Sequence, residues 1–248
     1  MSAKKAAAGP DPKMIEALFD RFEHDKPDPR TELDYVNPYT LLIAVVLSAQ
    51  MTDKGVNKAT GPLFKIAPNP RAMVDLGEEA LTSMLSNINL FRNKAKNVIK
   101  LSQILLDRYG GEIPKTREAL IELPGVGNKT ASVILNELDI EPAIAVDTHV
   151  YRVSHRLGLV DVSAKTPDKV EQQLMTVIPR KWLTRAHHWL ILHGRYVCVA
   201  RQPKCDICIV RDLCPKIGVE AVPFIDVDDE RRTAKVKPRT AKPRRPRA

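Results

Sequence analysis

All four cysteines of the 248-residue chain fall in one short run, C-VARQPK-C-DI-C-IVRDL-C, from Cys198 to Cys214. No other feature limits the fold so strongly. The chain begins MSAKKAAAGPDPK, without the apolar core of an export signal, so the expected setting is intracellular and reducing, where disulfides are disfavoured. Four core cysteines at this density would be an improbable coincidence. A four-thiolate metal site remains, with Cys198, Cys205, Cys208 and Cys214 as ligands. Structural zinc usually takes two C-x2-C pairs separated by a longer stretch, and only one such pair is present. Four thiolates wrapped closely around one centre suit a [4Fe–4S] cluster better, with zinc as the alternative.

The rest of the chain reads as helices. Met14, Ile15, Leu18, Phe19 and Phe22 repeat with a helical period over Asp11–His24. Asn37-Pro38 opens an apolar helix expected to run through Gln50, and Thr52-Asp53 opens the next, through Phe64. Shorter pieces follow at Arg71–Leu76 and Glu78–Ser86. A long amphipathic helix, Asn93–Tyr109, is stopped by Gly110-Gly111. Thr116–Leu123, Asn128–Leu138, Asp147–Leu157, Pro167–Ile178 and Trp182–Tyr196 complete the set. Only Ala143–Val146 looks extended, and it is short for a strand. The fold class expected is therefore all-α. The longest apolar run, Leu41–Leu47, falls far short of the ~20 residues a membrane helix needs, so no membrane partner is expected.

The net charge of +9 is concentrated at one end. Arg231–Ala248 holds nine basic residues and no acid, and without it 30 basic and 30 acidic residues balance. The tail has too little apolar surface to offset its ordering entropy, so it reads as disordered. An uninterrupted basic segment favours a nucleic-acid arm over a plain solubilising extension.

Between two helical stretches lies LPGVGNKTA, Leu123–Ala131. A nucleotide-binding phosphate loop needs G-x-x-x-x-G-K-[ST] after a buried strand. Here the spacing differs, and the preceding segment is helical. What remains is helix, glycine turn, helix. Gly125 and Gly127 let backbone amides approach an anion, and the following helix N-terminus favours negative charge. That suits one phosphate of a nucleic-acid backbone; a plain helical corner without ligand is the alternative.

Taken with VDTHVYRVSHRLGL, the upstream LLIAVVLSAQMTDKGVN and the cysteine run, in this order, the hairpin resembles the endonuclease III family. These are bifunctional DNA glycosylases and lyases of the helix–hairpin–helix superfamily. The resemblance spans about Asp11 to about Gly218 and leaves out the extreme N-terminus and the tail. It implies a two-lobed fold with the DNA cleft between the lobes. A six-helix barrel would cover 30–141, with the helix–hairpin–helix at about 116–138. An iron–sulfur lobe would combine 11–29 with 142–222, leaving 1–10 and 223–248 as disordered ends. The implied substrate is double-stranded DNA carrying an oxidised pyrimidine or an abasic site. The implied protein is a monomer in the cytoplasm, associated with the nucleoid.

By the same resemblance, Lys129 and Asp147 are the catalytic pair. An amine must attack C1′, displace the base and form a Schiff base that permits strand cleavage. Ammonium cannot attack; a helix N-terminus and partial burial are the surroundings that favour the neutral amine. The carboxylate assists deprotonation and stabilises charge developing on the sugar. Alone, Lys129 would read equally well as a phosphate contact. A base inside a duplex must flip out, and Gln50 and Leu90 would fill the gap from the two sides of the cleft. Gly125, Val126, Gly127 and Thr130 join them as DNA contacts, with Arg201 and Lys204 in the first cysteine loop. Thr130 and Asp53 otherwise read as pocket-wall or cap residues without chemistry. His149 faces either the site or the core; His187, His188 and His193 read as structural. Two rivals stay open: an adenine-mismatch glycosylase, which lacks a lysine at this position, and a non-catalytic DNA-binding protein with a metal-stabilised lobe.

Overall fold

The structure, a computed structural model, describes residues 10–219. The segment before Pro10 and the basic tail, both expected to be disordered, lie outside the described residues. Within them are eleven α-helices and no strand.

The chain order is α1 (Pro12–Asp25), α2 (Pro38–Ser48), α3 (Asp53–Ile66), α4 (Pro70–Leu76), α5 (Glu78–Met84), α6 (Phe91–Tyr109), α7 (Arg117–Ile121), α8 (Asn128–Glu137), α9 (Thr148–Arg156), α10 (Pro167–Val177) and α11 (Leu183–Tyr196). Local chemistry explains most boundaries. Asn37 and Thr40 form a reciprocal capping box ahead of Pro38, and Thr52, Asn69, Thr116 and Thr166 each cap a helix through the side chain. Gly110 and Gly111, both at positive φ, end α6, and the Gly111 amide reaches back to the Leu105 carbonyl at 2.8 Å.

Two hydrophobic cores result. In the first, α2 is buried on every side from Tyr39 to Leu47, which is why it carries no amphipathic stripe; α3 to α8 pack around it. Within it the buried hydroxyls of Tyr39 and Ser102 satisfy each other at 2.6 Å. The second core gathers Phe19 and Phe22 of α1 with Trp182, Trp189 and the apolar faces of α9, α10 and α11. Both indoles donate to α1 or its exit, Trp182 to Glu23 and Trp189 to the Lys26 carbonyl. Ala143–Val146 is not a strand; all four residues are buried as the chain passes from α8 to α9.

Polar contacts tie the two cores together beside the hairpin. Asn136 donates to the Thr184 carbonyl at 2.8 Å and accepts from the Ala143 amide at 3.2 Å. His188 meets Glu137 at 2.5 Å. Arg117 and Ser132 converge on Glu171, whose carboxyl is pushed up by burial and partly restored by Arg117. At Gly194 on α11, an added Cβ would stand 2.8 Å from the His149 Cβ, so α9 and α11 cross at a spacing that leaves no room for a side chain there. This contact sets α9 against the helix that leads into Cys198.

Candidate active site and cluster loop

The turn between α7 and α8 has two glycines with different reasons to be there. Gly125 sits at φ +85, and a Cβ there would also press Val46 and Asn97. Gly127 is extended, with nothing within 4 Å of the place a Cβ would take. Only Gly125 is needed for the turn itself. Val126 is buried and its amide is spent on the Leu123 carbonyl at 3.0 Å, so it belongs to the turn more than to any surface. Gly127 is the N-cap of α8 and no side chain caps that helix. Its first amides are left open to an external acceptor.

Lys129 follows on the first turn of α8 and is exposed. The partial burial expected of it is therefore not a property of the free protein; an amine at a cleft mouth loses water only when a ligand covers it. Asp147 is the N-cap of α9, with Oδ1 accepting from the amides of His149 and Val150, both at 2.8 Å. Both side chains line a cleft of about 760 Å³, which also takes in Gln50, Thr130, His149 and His187. Among the described residues neither Lys129 nor Asp147 belongs to any ion pair.

Some residues differ from their sequence reading. His187, read as structural, is buried in the cleft floor with Nδ1 unpartnered; burial drives its pKa well down, helped by the charges of His188, Lys129 and Arg195. His193, by contrast, keeps to its structural reading: it packs edge-on against Phe22 and is pushed down to about 4, chiefly by burial. Asp53, read as a pocket-wall or cap residue, lines the cleft wall, where it also pairs with Arg195 of α11; Arg195 pairs with Glu32 as well, and Tyr196 donates its hydroxyl to Glu32. This clasp joins the two cores along the cleft, and nothing in the spacing of Arg195 announced it.

Gln50 lies beyond the end of α2 rather than within it, in the left-handed region at φ +58, as does Leu90 ahead of α6. That conformation costs a non-glycine residue roughly 1–2 kcal/mol. The two are not on opposite sides of the cleft. They sit on neighbouring loops of the same lobe, joined where Asn89 donates to the Gln50 carbonyl at 2.9 Å. Leu90 is 60% exposed.

The cysteine run leaves α11 and folds back on α9. Arg152 donates to the carbonyls of Gly194 and Cys198, and Arg156 to those of Val199 and Ala200. The Cys214 thiol donates to the Arg156 carbonyl at 3.3 Å, and α1 holds the far side through Arg21 and Asp212. All four thiols are free. Those of Cys208 and Cys214 are pushed up, first by burial and further by the other cysteines. Four thiols carried on one short loop are the donor set that a [4Fe–4S] cluster takes. Arg201 and Lys204 stand exposed on the loop between the first two cysteines.

Comparison with known proteins agrees with this geometry. Residues 43–180 match the HhH-GPD superfamily of base excision DNA repair proteins, and residues 198–214 match the iron–sulfur binding domain of endonuclease III. Endonuclease III of Haemophilus influenzae is 51% identical over 202 residues, 82% of this chain and 94% of that protein. That of Rickettsia conorii is 50% identical over 82% of this chain and 95% of its own length. A solved structure of a trapped endonuclease III–DNA covalent intermediate superposes with a TM-score of 0.77 at 43% identity, covering 84% of this chain and 97% of that one. The match thus extends at 43–51% identity over nearly the whole of these relatives. The chain belongs to the endonuclease III family, base excision repair enzymes that pair a DNA glycosylase with an abasic-site lyase and carry a [4Fe–4S] cluster.

Proposed function

We propose that this protein removes oxidised pyrimidines from duplex DNA and cuts the resulting abasic site, with Lys129 as nucleophile and Asp147 as its carboxylate partner. One observation carries the assignment: an unpaired amine and an unpaired carboxylate face one cleft at the N-termini of α8 and α9. With one Asp147 oxygen held by two amides, the other is left for the reacting centre. The Lys129 amine, deprotonated with help from that carboxylate, attacks C1′; the C1′–base bond breaks and its electron pair leaves with the base. The nitrogen then forms an imine to C1′ as the sugar ring opens. Loss of a proton from C2′ expels the 3′ phosphate, and water later releases the lysine.

DNA is held by the open amides at Gly127 and the start of α8, with Gly125 and Val126 shaping that turn. Thr130 contributes from the cleft wall, and Arg201 and Lys204 meet phosphates. Gln50 and Leu90 occupy the space the flipped nucleotide leaves. The cluster's part is to hold the Cys198–Cys214 loop in shape, and no step of the chemistry passes through it. The protein acts as a monomer on damaged or abasic duplex, in the cytoplasm at the nucleoid. Its iron–sulfur lobe combines 11–29 with 142–222, and its helical barrel covers 30–141.

The test is a duplex with one thymine glycol, scored separately for base loss and strand scission. Lys129→Gln should still bind this duplex, lose both reactions together, and escape the borohydride trapping that captures the unaltered protein. Efficient trapping of the variant through another lysine overturns the nucleophile assignment.

A further inference from the structure

The two loops that carry Gln50 and Leu90 are cross-braced, and the brace is built from residues outside the catalytic cleft. Lys94, on the first turn of α6, is 7% exposed although its spacing with Val98, Leu101 and Leu105 places it on the apolar stripe. Its amine donates to the carbonyls of Leu47 at 2.9 Å and Ala49 at 2.6 Å, the last turn of α2 and the residue before Gln50. Its backbone amide donates to the Leu90 carbonyl at 3.0 Å. Asn89 completes the brace: its side-chain amide donates to the Gln50 carbonyl at 2.9 Å, and its backbone amide meets the Met51 sulfur at 3.4 Å. Three carbonyls at the end of α2 are thus served from one short segment of the facing loop. A cationic amine at a helix C-terminus also answers the partial negative charge there.

Gln50 and Leu90 are two of the five non-glycine residues at positive φ among the described residues. A left-handed leucine with an exposed side chain relaxes unless its surroundings hold it. The brace supplies that hold from both ends.

We infer that Asn89 and Lys94 are positioning residues, which keep Gln50 and Leu90 poised as one unit to enter the duplex when a base leaves the stack. The inference rests on the gap-filling reading of Gln50 and Leu90. The brace matters where a stacked base must be displaced. It matters little at a site that has already lost its base, because no base has to be unstacked there.

The experiment compares single-turnover rates on two duplexes, one with thymine glycol and one with a preformed abasic site. Asn89→Asp keeps size and shape but replaces the donor with an acceptor, and Asn89 is exposed, so folding is spared. It should slow base removal about tenfold, the loss of about one hydrogen bond, and leave abasic-site cutting within about twofold. Lys94→Met should shift the same ratio further. 2-Aminopurine opposite the lesion should report a less filled gap in both. Gln50→Ala is the reference. If Gln50→Ala leaves the ratio unchanged, the gap-filling reading fails and the proposal with it. If Gln50→Ala shifts the ratio and Asn89→Asp does not, the brace is refuted while gap filling stands. If Lys94→Met depresses both rates equally along with Tm, Lys94 is a fold residue and the positioning role is lost.

Discussion

Replacing each glycine of the α7–α8 turn by alanine separates what the turn does for the fold from what it does for DNA. Gly125→Ala forces a Cβ into φ +85, at roughly 1–2 kcal/mol. The new methyl would stand 3.2 Å from Val46 Cγ1 and 3.3 Å from Asn97 Nδ2, which adds about 1 kcal/mol because Val46 lies in the core. Stiffening of the unfolded chain returns about 0.4–1 kcal/mol. The net loss is about 1–2.6 kcal/mol, a fall in Tm of roughly 2–10 °C for a chain of this size. Gly127→Ala meets none of these costs: its φ is −107 and its Cβ would enter open space. The same stiffening is offset by alanine's slightly poorer N-cap, leaving stability within about 0.5 kcal/mol. Its methyl does occupy the approach to the open amides of α8. Affinity for duplex DNA should therefore fall at least about tenfold, with a shallower salt dependence. Thermal melts and fluorescence-anisotropy titrations across salt read the two effects. Equal falls in Tm for the two variants, or unchanged DNA affinity in Gly127→Ala, would falsify the division of labour.

Purified protein should be yellow-brown with broad visible absorption from thiolate-to-iron charge transfer, whereas a colourless, active protein holding one zinc would remove the cluster assignment. Cys205→Ser should bleach that absorption and weaken DNA binding before it changes the reaction rate on bound substrate. His187 is held neutral by burial, so the unfolded chain binds a proton that the folded protein refuses: the stabilisation is present above about pH 6.5 and is lost as pH falls. His187→Gln should flatten the drop in Tm between pH 8 and pH 5.5, and an unchanged slope would show that other groups set it. Deleting Arg231–Ala248 should weaken binding to damaged and undamaged duplex alike and reduce the log–log salt slope by about 0.9 for every phosphate the tail had neutralised; no change at low salt would rule out a DNA arm.

Short-range chemistry wrote much of this protein into its sequence. The caps at Asn37 and Thr52, the stop at Gly110-Gly111, the glycine hairpin and the cysteine run each depend on residues a few positions apart, and each is legible in the linear order alone. The candidate pair Lys129 and Asp147 is legible only through the family resemblance, because the helix starts they occupy would by themselves suit a phosphate contact or a cap equally well. What the linear pattern could not supply is anything that arises where distant segments meet. Arg195 finds Asp53 across 142 positions of chain, and His187 becomes a cleft residue only because α8 and α9 close over α11. Lys94 left a trace, a cation on the apolar stripe of α6, but its partners Leu47 and Ala49 are fixed only when α6 lies along the end of α2. The left-handed turns at Gln50 and Leu90 are of the same kind: local propensity opposes them, and tertiary hydrogen bonds hold them in place.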